Sequence, residues 1–191
     1  ATVDRFGGLD AVINNAGAIR LLPTAQLQPR HFDLMLQINT RAVWLLAHHA
    51  APHLKKSARA HFVTLSPPLD LQPKWFANHA AYTTTKFAMS MLAMGLAAEW
   101  PKVACTALWP RTTIATAAVE MLGGDAMMNV SRTPEIMADA AHAILQCAPS
   151  EVSGRCLLDE DFLRERGQTD FDHYAVDPDA TLMTDLFVEP A

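Results

Sequence analysis

Four short apolar runs, each stopped by a turn-forming residue, alternate with long stretches of helical periodicity, and this alternation limits the possible folds more than any other feature of the chain. The runs are Leu9-Asp-Ala-Val-Ile-Asn-Asn-Ala-Gly17, Ala60 to Ser66, Lys102 to Trp109 and Gly154 to Asp159. They have the length and apolar content of buried strands. Between the first two, Phe32, Leu36, Asn39, Val43, Leu46 and Ala50 recur at steps of three and four, which predicts a helix from about Pro29 to His53. A second helix is expected from about Asn78 to Trp100, ended by Pro101, with Met89, Leu92, Leu96 and Gly95 giving a small, greasy face. Ile114 to Leu122 reads as a short helix closed by Gly123-Gly124, and Thr133-Pro134-Glu135 opens another that runs through Cys147. Strands alternating with helices of this length mean βαβ units, hence an α/β fold with a parallel sheet and helices on both faces. Ligands of such sheets bind beyond the carboxyl ends of the strands.

The remaining segments fit around that frame. Pro67 to Phe76 reads as an irregular, proline-rich loop. The acidic tail after Asp159 carries Phe162, Phe171, Tyr174 and Phe187, and is expected to dock on the body. With 191 residues, 50% of them hydrophobic and 18% charged, the chain is long enough for one domain with its own core, and disorder is excluded. The formal charge of 15 − 20 = −5 argues against a nucleic-acid clamp, which would show a basic stripe.

Three scattered cysteines, Cys105, Cys147 and Cys156, form neither a disulfide framework nor a zinc motif. His49 and His53 stand four apart without a carboxylate in ligand spacing, so a helix surface and no metal are expected. Every apolar run is broken short of the roughly 18 residues a spanning helix needs. No basic start or apolar leader precedes Phe6, and a cytoplasmic location is expected. Ala1 stands where a gene product would carry methionine, so the gene is expected to begin upstream.

The chemistry concentrates at strand ends and on two helices. Tyr82-Thr-Thr-Thr-Lys86 places a phenol and an ammonium at i and i+4 on one helix face. A cation within about 4–6 Å of a phenol favours its phenolate and brings an otherwise weak acid toward the working range. Many helices carry such a pair by chance, so its company decides. Asn39 lies mid-helix on a face that should be buried, where an amide either bends the helix or holds a polar network. Ser66 ends one strand, either facing the ligand crevice or making a turn with Pro67. Asn14-Asn-Ala-Gly17 ends another, either at the ligand or as a plain strand-to-loop turn.

In this order and context, Asn14-Asn-Ala-Gly17, Asn39, Ser66 and Tyr82-x-x-x-Lys86 resemble the short-chain dehydrogenase/reductase family. Ser66-Pro-Pro-Leu-Asp-Leu, Tyr82-Thr-Thr-Thr-Lys-Phe-Ala-Met-Ser-Met91 and Ala107-Leu-Trp-Pro-Arg-Thr112 are closer still to its hydroxysteroid dehydrogenase-like and citronellol/citronellal-type members. The resemblance implies a Rossmann-type, doubly wound parallel sheet and hydride transfer between NAD or NADP and an alcohol or carbonyl. It implies Tyr82 as general acid/base, and Lys86 as the residue that lowers its pKa and holds the nicotinamide ribose. Ser66 would orient the substrate oxygen, and Asn39 would fix a water that links Lys86 to solvent. Asn15, Ala16 and Gly17 would lie along the cofactor, with Pro110, Ile114 and Thr116 approaching the nicotinamide. Two positions depart from the family pattern. Pro110-Arg111 replaces Pro-Gly, with Arg111 expected in solvent. Ser66 lies 16 residues before Tyr82 (82 − 66), where the family uses about thirteen.

The larger departure is at the front, where none of the 8 glycines forms the Gly-rich fingerprint of a phosphate turn. The first strand, Asp10 to Asn14, matches the family's fourth. The chain is therefore expected to be one partial domain, 1–191, holding the equivalents of strands 4 to 7. That makes Asp10–Asn14 an open, aggregation-prone edge. It also predicts poor cofactor binding by these 191 residues, and neither NAD nor NADP is favoured. Trp109, Met121, Leu122 and Met127 suggest an apolar wall for a long-chain or terpenoid alcohol, aldehyde or ketone. By resemblance the partner is a second copy, in a homodimer or homotetramer. The reading from another class is a remnant or interaction module that keeps the scaffold without turnover.

Overall fold

Each of the four apolar runs becomes a strand in the computed structural model, which describes residues 1–190. β1 (Ala11–Asn14), β2 (Ala60–Leu65), β3 (Val103–Trp109) and β4 (Cys156–Leu158) make a four-stranded parallel sheet in the order β1-β2-β3-β4. The register sets Asn14 beside Thr64 and Phe62 beside Cys105. A short helix, α1 (Thr2–Phe6), precedes β1.

From Pro29 to Leu54 the chain is helical throughout, as its periodicity predicts, but not uniform. α2 (Pro29–Met35), with proline in its first turn, runs into a π turn over Leu36–Arg41, and then into α3 (Ala42–Leu54). α4 (Ala80–Glu99) joins β2 to β3. The strand order advances one step at a time, so right-handed crossovers place α3 and α4 on the same face of the sheet.

The chain divides into two compact units, residues 1–108 with 147–156 and residues 109–146 with Leu157 onward. In the first, Val43, Ala47, Ala50 and Leu54 of α3 and Met89 and Leu96 of α4 pack with Phe62, Val103 and Cys105, and Trp100 crosses Phe62 edge-on at 6.5 Å. Burial, reinforced by Glu99, pushes the Cys105 thiol up to about 12, which leaves it an inert core group. On the opposite face, α7 (Pro149–Val152) covers β3, where the Thr106 hydroxyl donates to the Val152 carbonyl at 3.0 Å. β1 lies at the edge of the sheet, and its Ile13 is 46% exposed.

The second unit contains α5 (Ala117–Asn129), α6 (Glu135–Gln146) and α8 (Asp159–Glu165), with α6 packed on α8. Gly123-Gly124 does not end α5 as its composition suggests. The backbone kinks at Gly124 (φ 60°, ψ −157°) and then resumes its helix. Only glycine adopts that conformation without strain, so Gly124→Ala should cost about 1–3 kcal/mol, read from urea unfolding. The acidic tail docks within this unit. Phe162, Phe171, Tyr174 and Phe187 are buried, and the Tyr174 hydroxyl donates to Asp139 at 2.6 Å.

Asp159, at the start of α8, is buried. Burial pushes its carboxyl up to about 6, although the N–H groups of Arg111 and Glu160 and the charge of Arg132 all favour the ionised form. The folded protein thus holds this proton more tightly than the unfolded chain. Its contribution to stability is full below the ordinary value of 3.8 and is lost as pH rises through about 6. Asp159→Asn should remove that component, flattening the fall of the unfolding midpoint between pH 4 and 7.

Candidate active site

Tyr82, Lys86, Asn39 and Ser66 all belong to the first unit, on α4, on the π turn beside α3 and at the end of β2. All four side chains are buried. The Lys86 ammonium donates to the Leu65 carbonyl at 2.6 Å and so stands beside Ser66. The Ser66 N–H donates to Leu108 at 3.0 Å, while its hydroxyl is buried with no hydrogen-bond partner among the described residues. The proline turn that follows is held by Ser90, whose hydroxyl donates to the Pro67 carbonyl at 2.5 Å.

Asn39 both interrupts the helix and holds a network. Its Oδ1 accepts the Ala18 N–H at 2.8 Å, and its Nδ2 donates to the Ala18 carbonyl at 2.9 Å and to Thr85 Oγ1 at 2.9 Å. Thr85 in turn donates to the Tyr82 carbonyl at 2.8 Å. One chain of bonds therefore runs from the loop after β1, through the π turn, to the backbone of Tyr82. The amide's two hydrogens are both committed to protein partners. A π turn within an α-helix leaves a backbone carbonyl out of the regular ladder, and such turns recur at functional sites.

Asn15, Ala16 and Gly17 lie exposed in the loop after β1. Gly17 lets this loop run close to the network, since a Cβ there would sit 3.6 Å from Asn39 Oδ1. Among the described residues, neither amide atom of buried Asn14 has a partner, nor does the Thr64 hydroxyl beside it in register. Buried polar groups without partners are rare in folded proteins and draw attention to a strand end.

Thr64, Thr85 and Ser90 escape a reading of motifs alone. The signal for Thr85 is Thr83-Thr84-Thr85 itself, three β-branched residues in a helix that disfavours them. Each hydroxyl is used: Thr83 donates to Trp75 at 2.5 Å, Thr84 to Ala80 at 2.8 Å and Thr85 to Tyr82.

Pro110, Ile114 and Thr116 belong to the second unit. Pro110 and Ile114 are buried, and Thr116 caps α5 by accepting the Val119 N–H at 3.5 Å. Arg111 is not a solvated arginine: its guanidinium forks onto the Asp161 carboxylate, with Nε donating at 2.8 Å. Nor do Trp109, Met121, Leu122 and Met127 enclose an apolar wall. Trp109 lies against Phe187 and donates to the Leu186 carbonyl at 2.8 Å, while Met121 and Leu122 are 58% and 41% exposed. Among the described residues no group of three or more His, Cys, Asp or Glu is placed to hold a metal ion, and the three cysteines are free thiols. No helix among them is long and apolar enough to cross a membrane.

The four-stranded parallel sheet flanked by helices is that of a Rossmann-like α/β protein. Residues 1–124 match the short chain dehydrogenase family, and the chain belongs to that family. Hydroxysteroid dehydrogenase-like protein 2 of Xenopus tropicalis is 48% identical over 188 residues, covering 98% of this chain and 45% of that protein. The chain thus spans about half the length of the curated relatives it matches. A crystal structure of a dehydrogenase from Xanthomonas campestris superposes with a TM-score of 0.94 at 47% identity, over 99% of this chain and 70% of that one. A gluconate 5-dehydrogenase from Burkholderia cenocepacia, crystallised with NADP and tartrate, shares the fold at TM-score 0.67 and 21% identity, over 82% of this chain and 65% of its own.

Proposed function

We propose that these residues form the catalytic part of a single NAD(P)-dependent oxidoreductase domain that interconverts an alcohol and a carbonyl. The observation that carries this reading is the buried grouping of Lys86, Ser66 and the Asn39–Thr85–Tyr82 chain at the carboxyl end of β2. An ammonium and an unpartnered hydroxyl at one strand end, one helical turn from a buried phenol, suit a nicotinamide ribose and a substrate oxygen. The cofactor is NAD or NADP, and the sequence holds no Gly-rich fingerprint for its phosphates.

When bound, the nicotinamide supplies or accepts the hydride. The chain's own residues handle the proton and the geometry. In reduction Tyr82 donates its phenolic proton to the substrate oxygen, and in oxidation it takes that proton back. Lys86, one helical turn on, favours the phenolate between these steps and donates to the ribose hydroxyls. Ser66 donates to the substrate oxygen and aims it at Tyr82. Asn39 acts through the backbone: it locks the loop of Asn15, Ala16 and Gly17 along the cofactor, and a water held at the π turn links Lys86 to solvent. Pro110, Ile114 and Thr116 line the nicotinamide end. The substrate is an apolar alcohol, aldehyde or ketone, and the enzyme is a homodimer or homotetramer.

The test is an alcohol-dependent reduction assay on the protein expressed from its complete gene, with NAD⁺ and NADP⁺ offered separately. Turnover of apolar secondary or primary alcohols is expected with at least one of them. A folded protein that reduces neither cofactor with any such alcohol would leave a scaffold without this chemistry.

A further inference from the structure

Asp159 sits outside the proposed active site, and its surroundings show what a buried carboxyl does there. Its Oδ1 accepts two backbone N–H groups, Arg111 at 2.8 Å and Glu160 at 2.6 Å, while its Oδ2 has no hydrogen-bond partner among the described residues. A helix cap does not explain this, because one of the two bonds reaches back 48 residues to the turn after β3.

From that turn the chain is held on both sides. Arg111 O accepts the Asp185 N–H at 3.0 Å, and Thr113 N donates to Met183 at 2.9 Å. On the other side, Arg132 donates its N–H to Thr113 at 2.9 Å and accepts the Ala115 N–H at 2.8 Å, and the Thr113 and Ser131 hydroxyls bond at 2.7 Å. The buried Arg132 guanidinium pairs with Glu160, whose other oxygen takes Arg164 at 2.7 Å. Asp161 holds the Arg111 side chain. Three consecutive acids at the start of α8 therefore each grip a different anchor. Asp159 takes the Arg111 backbone, Glu160 takes Arg132, and Asp161 takes the Arg111 guanidinium.

We infer that Asp159 is a positioning residue that fixes where the Pro110–Thr116 segment leaves β3, with the Arg132–Glu160 pair fixing its far end. The functional consequence rests on the proposed role of Pro110, Ile114 and Thr116 beside the nicotinamide. A buried charge cluster, rather than packing alone, then sets how that segment stands within its own unit.

The experiment is a pH titration of the amide resonances of the ¹⁵N-labelled chain. The Arg111 and Glu160 amide protons should shift together with one midpoint near the Asp159 value of about 6. The other charges facing Asp159 are those of Arg132, Glu160, Arg111 and Asp161. Asp159→Asn should abolish the titration yet keep Arg111 amide exchange within about threefold of the parent, because the amide oxygen still accepts the bond. Asp159→Ala should speed exchange at Arg111, Thr113 and Ala115 about tenfold while leaving α4 unchanged. If the alanine variant does not fold, Asp159→Ser serves, with amide exchange at Arg111, Thr113 and Ala115 again the readout. Separate or absent titrations, or unchanged exchange after removal of the carboxyl, overturn the inference.

In the complete enzyme, Asp159→Ser should raise the cofactor KM about tenfold with kcat changed less than about threefold. If exchange responds but KM does not, the positioning role stands and the cofactor reading of Pro110, Ile114 and Thr116 falls.

Discussion

Tyr82→Phe should lower kcat for alcohol oxidation by about 10³-fold, within the 10²–10⁴ that general acid–base catalysis contributes. Only one oxygen is lost. The side chain is buried on α4 and phenylalanine fills the same space, so the unfolding free energy should move by no more than about 1.5 kcal/mol. Cofactor affinity should fall far less than turnover, since the ribose contact proposed for Lys86 is untouched. Lost turnover with preserved folding and cofactor binding is the mark of a group that acts on the reacting oxygen. Loss of all three together would make Tyr82 a structural residue. An unchanged rate would remove it from the mechanism.

Asn39→Ala is expected to be the most damaging substitution for the first unit, at about 3–5 kcal/mol by chemical denaturation. The amide satisfies three groups at once, namely the Ala18 N–H, the Ala18 carbonyl and the Thr85 hydroxyl. Each buried group left without a partner costs about 1–3 kcal/mol, and alanine's better helix propensity returns only about 0.5. Asn39→Asp separates the two ends of the clamp. A carboxylate still accepts the Ala18 N–H but donates to neither Ala18 nor Thr85, so it should lie close to alanine. Thr85→Val breaks one link and should cost about 1–2 kcal/mol. A loss under about 1 kcal/mol for Asn39→Ala would show that the loop after β1 is held by something else.

Much of this is legible in the sequence because it is local. The strands show as apolar runs with a turn residue at each end, and the α2-to-α3 stretch shows through its spacing. Asn39 stands out because an amide amid Leu36, Ile38 and Val43 needs partners. That those partners are Ala18 and Thr85, 21 and 46 residues away, is set by the packing of α4 on the π turn and is invisible to any local pattern. The partners of Asp159-Glu160-Asp161 are hidden for the same reason, since only the fold brings Arg111 and Arg132 to them. Gly123-Gly124 misleads in the opposite way, since a pair that usually ends a helix here allows a kink inside one.

The most direct test is to follow the hydride itself. An apolar alcohol deuterated at its carbinol carbon is mixed with the complete protein and NAD⁺ or NADP⁺, and the cofactor is recovered for mass spectrometry. Deuterium should appear in the reduced nicotinamide with the parent protein and be about 10³-fold slower to appear with Tyr82→Phe. Carbonyl product formed without deuterium in the cofactor, or equal transfer by the two proteins, would contradict the account.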